Sequence, residues 1–444
     1  MRIYDVIIIG AGSAGMFSAI KLANKGLNIL IVDKGQDLDN RIKELGQKSF
    51  SPIGWGGAGT GSDGKLIFSK TTGGRLNQLI PDNKLSLYLE ESRNIWNDFI
   101  GDLEVERFAK TKDLSLINKA FQLNLDLEIS DIIHVGSDLL PKVLYNMRKF
   151  IQDSKVDILM ENEIKDIKIE KDYFIIDEFK AKNVIISPGR GGAQWLKRIS
   201  EKLEINNKNV NVDVGVRVEI PFEVTRDLTD KIYEFKIKYI TPSYKDEVRT
   251  FCVNPGGFVV EENYGEKKLV NGYSNKNFKS DNTNFAFLSS IRLTDPINDP
   301  LNFSDNIIKT VNSIAKGVMV QRLGDLLNFR RSRDLSNNSV RPSLDTASPG
   351  DLSLAIPYRF LENIKEGLFA IDKMCPGIYD ENTLLYAPEI KLYSSMIDVN
   401  ENMETKYSGL YVAGDGAGIS KGIVQACISG LIAADSILKK KNVY

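Results

Sequence analysis

The chain opens on a run of branched apolar residues, Tyr4 to Ile9, with only Asp5 interrupting it. Such a continuous run predicts a strand buried on both faces of a parallel sheet. From Ala14 to Asn24 the apolar positions change to helical spacing (Met16, Ala19, Ile20, Ala23), and Gly26 follows as a stop. Asn28 to Val32 is a second short apolar run, ending at Asp33. Strand, helix and strand together form one βαβ unit.

Further along, residues 84–102 and 137–153 carry helical periodicity, with Ser137 a candidate N-cap for the second. The runs 156–160, 164–169 and 173–176 alternate with Lys, Asp and Glu and predict a small antiparallel meander. Residues 183–187 read as another buried strand. Between 210 and 290 strand-like runs dominate: VNVDVGVRVEI, KIKYI, TFCVNPGGFVV and NFAFL. Helices are expected near 304–316 and 358–372. A last strand precedes a glycine turn at 409–418, and a last helix spans 422–438. The fold class expected is α/β: a Rossmann-like domain with a parallel sheet and β-meander, plus a β-rich substrate domain. The first is drawn from residues 1–205 and 380–444, the second from 206–379.

Composition narrows the classes. The chain has 444 residues, too many for one average domain of roughly 150. Lys+Arg 58 against Asp+Glu 59 leaves a formal net charge of −1, so nucleic acid is an unlikely partner. The three cysteines (Cys252, Cys375, Cys427) lie far apart, and His134 is the single histidine. That argues against a disulfide scaffold or a zinc site, and no metal is expected. No run reaches the roughly 20 apolar residues of a spanning helix. A cytoplasmic protein is expected, of open oligomeric state.

Chemistry enters with Gly10-Ala11-Gly12-Ser13-Ala14-Gly15, a GxGxxG between predicted strand and helix. Gly10 suits a tight turn, Gly12 a close approach of pyrophosphate, and Gly15 close packing of helix on sheet. The helix N-terminus offers N–H groups to phosphates. Asp33, 18 residues after Gly15, stands where an acid accepts hydrogen bonds from a ribose. At the far end, Gly414-Asp415 follows a strand and precedes a helix. An acid there suits the ribityl chain of a flavin, and the helix dipole suits its N1/O2 edge. The dinucleotide expected is therefore FAD.

At this point the sequence resembles the FAD-dependent dehydrogenases of the glutathione-reductase-like superfamily, and within it a bacterial and archaeal group of FAD-dependent oxidoreductases. The motifs that carry the resemblance are DVIIIGAGSAG (5–15), GGAGTGSDGKL (56–66), HVGSDLL (134–140), VDVGVRVEIP (212–221), FCVNPGGFVV (251–260) with NGYS (271–274), and GLYVAGDGAGISKGI (409–423). The resemblance implies Gly10, Gly12, Ser13, Ala14 and Gly15 on the pyrophosphate. It implies Asp33 and Lys34 near the adenosine ribose, and Gly57, Ser62 and Lys65 near the pyrophosphate or flavin. Ile164 would flank adenine, Gly189 would end the strand returning to the cofactor, and Asp415 would hold the ribityl chain beside Gly414. Gly422 and Ile423 would lie at the pyrimidine edge. The chain departs from the family pattern at Ile-Ser-Pro-Gly-Arg-Gly-Gly (186–192) and at PEIKLYSS (388–395).

PGRGGAQW (188–195) is the only other candidate for a nicotinamide site. Without GxGxxG spacing it reads better as a turn of the first domain, leaving NAD(P)H as a transient electron donor. Lys65, Arg190 and Arg217 are the candidate catalytic residues. Lys65 suits either flavin N5 or the pyrophosphate, and the arginines suit carboxylate or phosphate clamps, with surface salt bridges the alternative. Lys421 stands near the expected flavin edge. Asp63 reads as a turn residue, His134 as structural, and Cys252 as a buried small hydrophobe. Trp55, Tyr273 and Tyr393 are candidate pocket aromatics. The leading expectation is an FAD-dependent oxidoreductase passing hydride between flavin N5 and a small organic substrate. A flavin monooxygenase or halogenase, and a non-redox FAD-binding or tRNA-modifying protein, are the alternatives.

Overall fold

A computed structural model describes residues 2–44, 49–109, 114–208, 211–275, 278–293, 299–391 and 396–441. Tyr393 and the stretch 392–395 lie outside them.

The first sheet is built on the apolar runs. In spatial order its strands are Asp157–Leu159, Ile29–Val32, Ile3–Ile9, Phe179–Ile186, Phe174–Ile176 and Ile167–Ile169, with Leu410–Val412 pairing beside Phe179–Ile186. Phe179–Ile186 is shared along its length. Its first half pairs antiparallel with Phe174–Ile176, and its second half pairs parallel with Leu410–Val412. Ile9 is level with Val32 on one side and Ile186 on the other, and Ile186 is level with Val412. The C-terminal ends of four strands therefore form one edge, followed in turn by Asp33, Gly10, Ser187 and Ala413. Ligands of open α/β sheets bind outside such an edge.

Two helices cover this sheet, Ser13–Leu22 and Ile423–Lys440. They meet through small residues. Ser18 Oγ donates to the carbonyls of Ala14 and Gly430, and a Cβ at Gly430 would stand 2.1 Å from the Ala14 carbonyl oxygen. The first helix stops at Leu22, earlier than its periodicity suggests, because Asn24 turns left-handed (φ 58°) ahead of Gly26.

The second sheet has eight strands, and Val212–Pro221 runs through its middle, paired antiparallel with Asn282–Ile291 and Leu384–Lys391. It also takes in Asp126–Glu128, so its strands reach beyond residues 206–379 at both ends. Helices Pro300–Ala315 and Tyr358–Asp372 bury their apolar faces against it. A hairpin of Phe258–Tyr264 and Lys267–Tyr273 stands beside this sheet. The run TFCVNPGGFVV is thus two strands, split at Pro255–Gly257.

Three local expectations need correction. Residues 156–160 do not join the meander. Asp157–Leu159 pairs parallel with Ile29–Val32 and forms the half-buried rim of the sheet. The strand placed at Ile164 begins at Ile167. Ser137 caps nothing: the helix begins at Leu140, and Ser137 Oγ instead donates to the Ser274 carbonyl at 2.6 Å. No helix among the described residues is long and apolar enough to cross a membrane.

Candidate functional site

A large cleft, about 1730 Å³ including its open mouth, runs along the C-terminal edge of the first sheet and ends against the second. It brings together Gly10, Gly12, Ser13 and Ala14 from the first turn with Gly414, Asp415, Gly422 and Ile423 from the last. Asp33, Lys34, Gly57, Ser62, Lys65, Ile164, Gly189 and Arg190 line it as well. Two candidates do not: Gly15 and Arg217.

Gly15 lies beneath the loop. A Cβ there would stand 1.9 Å from the Gly10 carbonyl oxygen, so glycine is what lets the helix seat. Gly10 itself has φ 106°, and a Cβ on it would meet the Ser187 carbonyl oxygen at 2.1 Å. The second glycine loop is tied to the first by the Gly56 N–H donating to the Ala11 carbonyl at 2.8 Å. Gly12 is the residue before the first helix, and no side chain caps that end. Its leading N–H groups are therefore available to an anion in the cleft.

Asp33 also orders the loop. Its two carboxylate oxygens accept from the Ala11 and Gly35 N–H groups, each at 2.8 Å. At the other end Asp415 Oδ1 accepts from Ser420 Oγ at 2.5 Å, and Arg190 Nε lies 3.8 Å from Asp415 Oδ2. The turn at 188–192 follows a strand of the first sheet and packs on the last turn, where a Cβ at Gly416 would meet the Gly189 carbonyl oxygen at 2.3 Å. It is a turn at the edge of the first sheet.

The end facing the second sheet is densely charged. Lys65 Nζ lies 2.6 Å from Glu234 Oε2 and 3.1 Å from Asp63 Oδ2. Burial favours the neutral amine, but Asp63 and Glu234 outweigh it and raise the Lys65 pKa well above its usual value. Burial pushes Glu234 up, yet Lys236 and Lys65 outweigh it and hold the carboxyl at about 2. Burial brings Lys421 down to about 8, partly offset by Asp213 at 3.3 Å. Asp63 accepts from the Lys65 backbone N–H as a turn residue should, and it also lines the cleft.

Arg217 is not a clamp on this cleft. It is fully buried, with Nε 2.9 Å from Glu389 Oε2 and Nη1 2.7 Å from Asn284 Oδ1. Trp55 belongs to the core, with Arg148 over its ring, and Tyr273 lies off the cleft. Cys252 lines the cleft and is half-buried, with φ 48° at an irregular point of its strand. His134 is buried. Its Nδ1 is 2.9 Å from Glu106 Oε2, and its Nε2 is 3.0 Å from the Tyr233 hydroxyl. The pattern missed Glu234, Lys236, Phe251, Tyr264 and Lys391, all of which line the cleft. A lysine within a buried strand, as at 236 and 391, is the signal that was present for two of them.

The Glu234 shift has a consequence for stability. Its folded pKa lies below the unfolded value near 4.5, so its contribution is complete above that pH and is lost as the pH falls towards about 2. Asp213 is shifted the same way: burial opposes the shift, but Arg249 and Lys421 prevail. Thermal melts should therefore hold steady between about pH 5 and 7 and fall steeply below about pH 5. A melting temperature unchanged down to about pH 3 would contradict this.

Residues 5–41 match the family described as FAD binding domain, and residues 212–391 match the family described as FAD-dependent protein, C-terminal domain-like. The chain carries the sequence of a flavoprotein. Over 98% of its length this flavoprotein is 26% identical to an uncharacterized protein of Clostridium beijerinckii, covering 80% of that protein. It is also 26% identical to Protein FixC of Escherichia coli O157:H7, over 51% of this chain and 45% of that one. Among solved structures, glycine oxidase from Geobacillus kaustophilus aligns over 99% of this chain and 95% of its own, at 13% identity and a TM-score of 0.43. L-amino acid deaminase from Proteus vulgaris aligns over 98% and 90%, at 12% identity and a TM-score of 0.41.

Proposed function

We propose that this flavoprotein is a dehydrogenase or reductase of the glutathione-reductase-like superfamily, which exchanges hydride between FAD and a small organic molecule held against the second sheet. The observation that carries the reading is the single cleft into which both remote glycine turns open, Gly10–Ala14 and Gly414–Asp415. The residues fit the coenzyme. An uncapped helix end faces the pyrophosphate position, and Asp33 and Asp415 stand near the two ends of the edge where sugar hydroxyls need acceptors. Bound FAD supplies a hydride acceptor and donor at N5.

The chain's own residues do the rest. Gly12, Ser13 and Ala14 offer amides to the pyrophosphate, Asp33 offers acceptors to the ribose, and Asp415 offers them to the ribityl chain. Lys34 and Ile164 line the adenosine end of the cleft, while Gly57, Ser62 and Gly189 wall its middle. Gly422 and Ile423 place the uncapped end of the last helix at the far edge of the cleft. Lys65, which lines the same cleft, holds a proton at Nζ between Asp63 and Glu234.

Purified protein mixed with FAD and desalted should retain stoichiometric flavin, and Asp415→Ala should bind FAD about tenfold more weakly. Protein that stays colourless at saturating FAD rejects the proposal. Reduction of the retained flavin by NADH or NADPH tests the transient donor separately.

A further inference from the structure

Three titratable side chains stand in one row across the small sheet of Lys65–Phe68, Asp131–His134 and Glu106–Phe108. Lys65 is level with His134, and His134 is level with Glu106. Level residues on neighbouring strands share a face, so all three point the same way. The row starts at the cleft, which Lys65 lines, and ends at Glu106, whose side chain is 39% exposed. Between them His134 is buried, with Nδ1 2.9 Å from Glu106 Oε2. A carboxylate only accepts, so Nδ1 carries the proton and Nε2 of the neutral ring is an acceptor. The Tyr233 hydroxyl at 3.0 Å and Ser274 Oγ at 3.2 Å face it as donors.

Tyr233 covers this row. Its ring centroid lies 4.6 Å from that of His134 and 4.8 Å from that of Phe108, and Lys65 Nζ stands 5.5 Å from it. Its backbone is strained. At φ 56° and ψ −56°, Tyr233 is the centre of a tight three-residue turn, closed by the Glu234 N–H donating to the Ile232 carbonyl at 2.6 Å. Turns of this hand are rare and persist only where the surroundings hold them. The Tyr233 N–H, donating to the Thr229 carbonyl at 2.7 Å, fixes where the preceding helix ends but not where the ring goes. The residue after the turn is Glu234, buried, with Oε2 2.6 Å from Lys65 Nζ.

We infer that His134 and Tyr233 are positioning residues for Lys65. His134 takes the Tyr233 hydroxyl, the anchored ring holds the strained turn, and the turn seats Glu234 against the ammonium that Lys65 carries in the wall of the cleft. The inference rests on the proposed flavin site in one respect: Lys65 is then a charge that the coenzyme meets.

His134→Leu and Tyr233→Phe each cut this link, whereas His134→Gln keeps an amide N–H for Glu106 and a carbonyl for the hydroxyl. In protein without bound FAD, acetylation of Lys65 by acetic anhydride is followed by mass spectrometry. It should be about tenfold faster in His134→Leu and in Tyr233→Phe than in the unaltered protein, and close to the unaltered rate in His134→Gln. In FAD-loaded protein the midpoint potential of the flavin should move in the same two variants and return in His134→Gln. The double variant His134→Leu/Tyr233→Phe should go no further than either single change, because both break one link. The inference is overturned by a Lys65 rate that Tyr233→Phe leaves unchanged, by effects that add in the double variant, or by His134→Gln behaving like His134→Leu. Refusal of FAD overturns the flavin reading instead, and the acetylation rates then judge the row alone. Should the leucine and phenylalanine variants fold poorly, the single histidine of the chain gives one imidazole signal by NMR. A proton on Nδ1 with Nε2 bare supports the inference, and the opposite tautomer overturns it.

Discussion

Gly15→Val should lose both flavin and much of its stability, although Gly15 does not face the cleft. Even one added carbon would stand 1.9 Å from the Gly10 carbonyl oxygen and 3.0 Å from Ser187 Oγ. Neither neighbour can retreat. The Gly10 N–H donates to the Val32 carbonyl at 2.8 Å, and Ser187 Oγ donates to the Ile9 and Gly10 carbonyls. The helix must lift off the sheet, breaking its contact with the last helix at Ala14 and Gly430. Overpacking of this kind costs about 3 kcal/mol or more. The amides of Gly12, Ser13 and Ala14 move with the helix, so FAD affinity should fall as well. Gly26→Ala is the control, since its added carbon would meet open space and only the left-handed φ of 68° costs anything. A Gly15→Val protein that melts and binds FAD like the unaltered chain would refute this account of the turn.

The first domain was legible in sequence because its signals are local. The run Tyr4 to Ile9, the glycine spacing and the position of Asp33 each follow from backbone needs that few residues meet. The last turn was equally readable, since Gly414 adopts φ 81° and its N–H is taken by Ser429 Oγ. The run 156–160 misled because its four apolar residues fit a meander or a parallel edge equally well; only its partner Ile29–Val32 decides. The sharing of one edge of Phe179–Ile186 between two partners leaves no trace in periodicity.

The charged end of the cleft was less legible for a related reason. Lys65 was marked by its glycine loop, but Glu234 stands just before a strand that Lys236 opens, Lys391 ends another strand, and only the second sheet brings them together. Arg217 shows the converse. A lone arginine in an apolar run suggests an oxyanion clamp, and nothing nearby in sequence shows that Glu389 answers it from 172 residues away.

Glu389→Gln should be the most destabilising change in the second sheet. The substitution keeps shape and removes one charge, leaving Arg217 and Lys391 buried together without an acid between them. Breaking a buried ion pair from one side costs about 3–5 kcal/mol, because the remaining charge is stranded. Arg217→Met should cost less, since it leaves Glu389 and Lys391 as a balanced pair. The pH dependence identifies the cause. Glu389 is held below its ordinary value near 4.5, so its stabilisation is complete above that pH and fades as the carboxyl protonates. The gap between unaltered protein and Glu389→Gln should therefore be widest near neutral pH and shrink as the solution is acidified below about pH 4. Urea unfolding of both proteins across that range measures it. A gap that stays constant with pH would mean that the substitution acts through packing and not through charge.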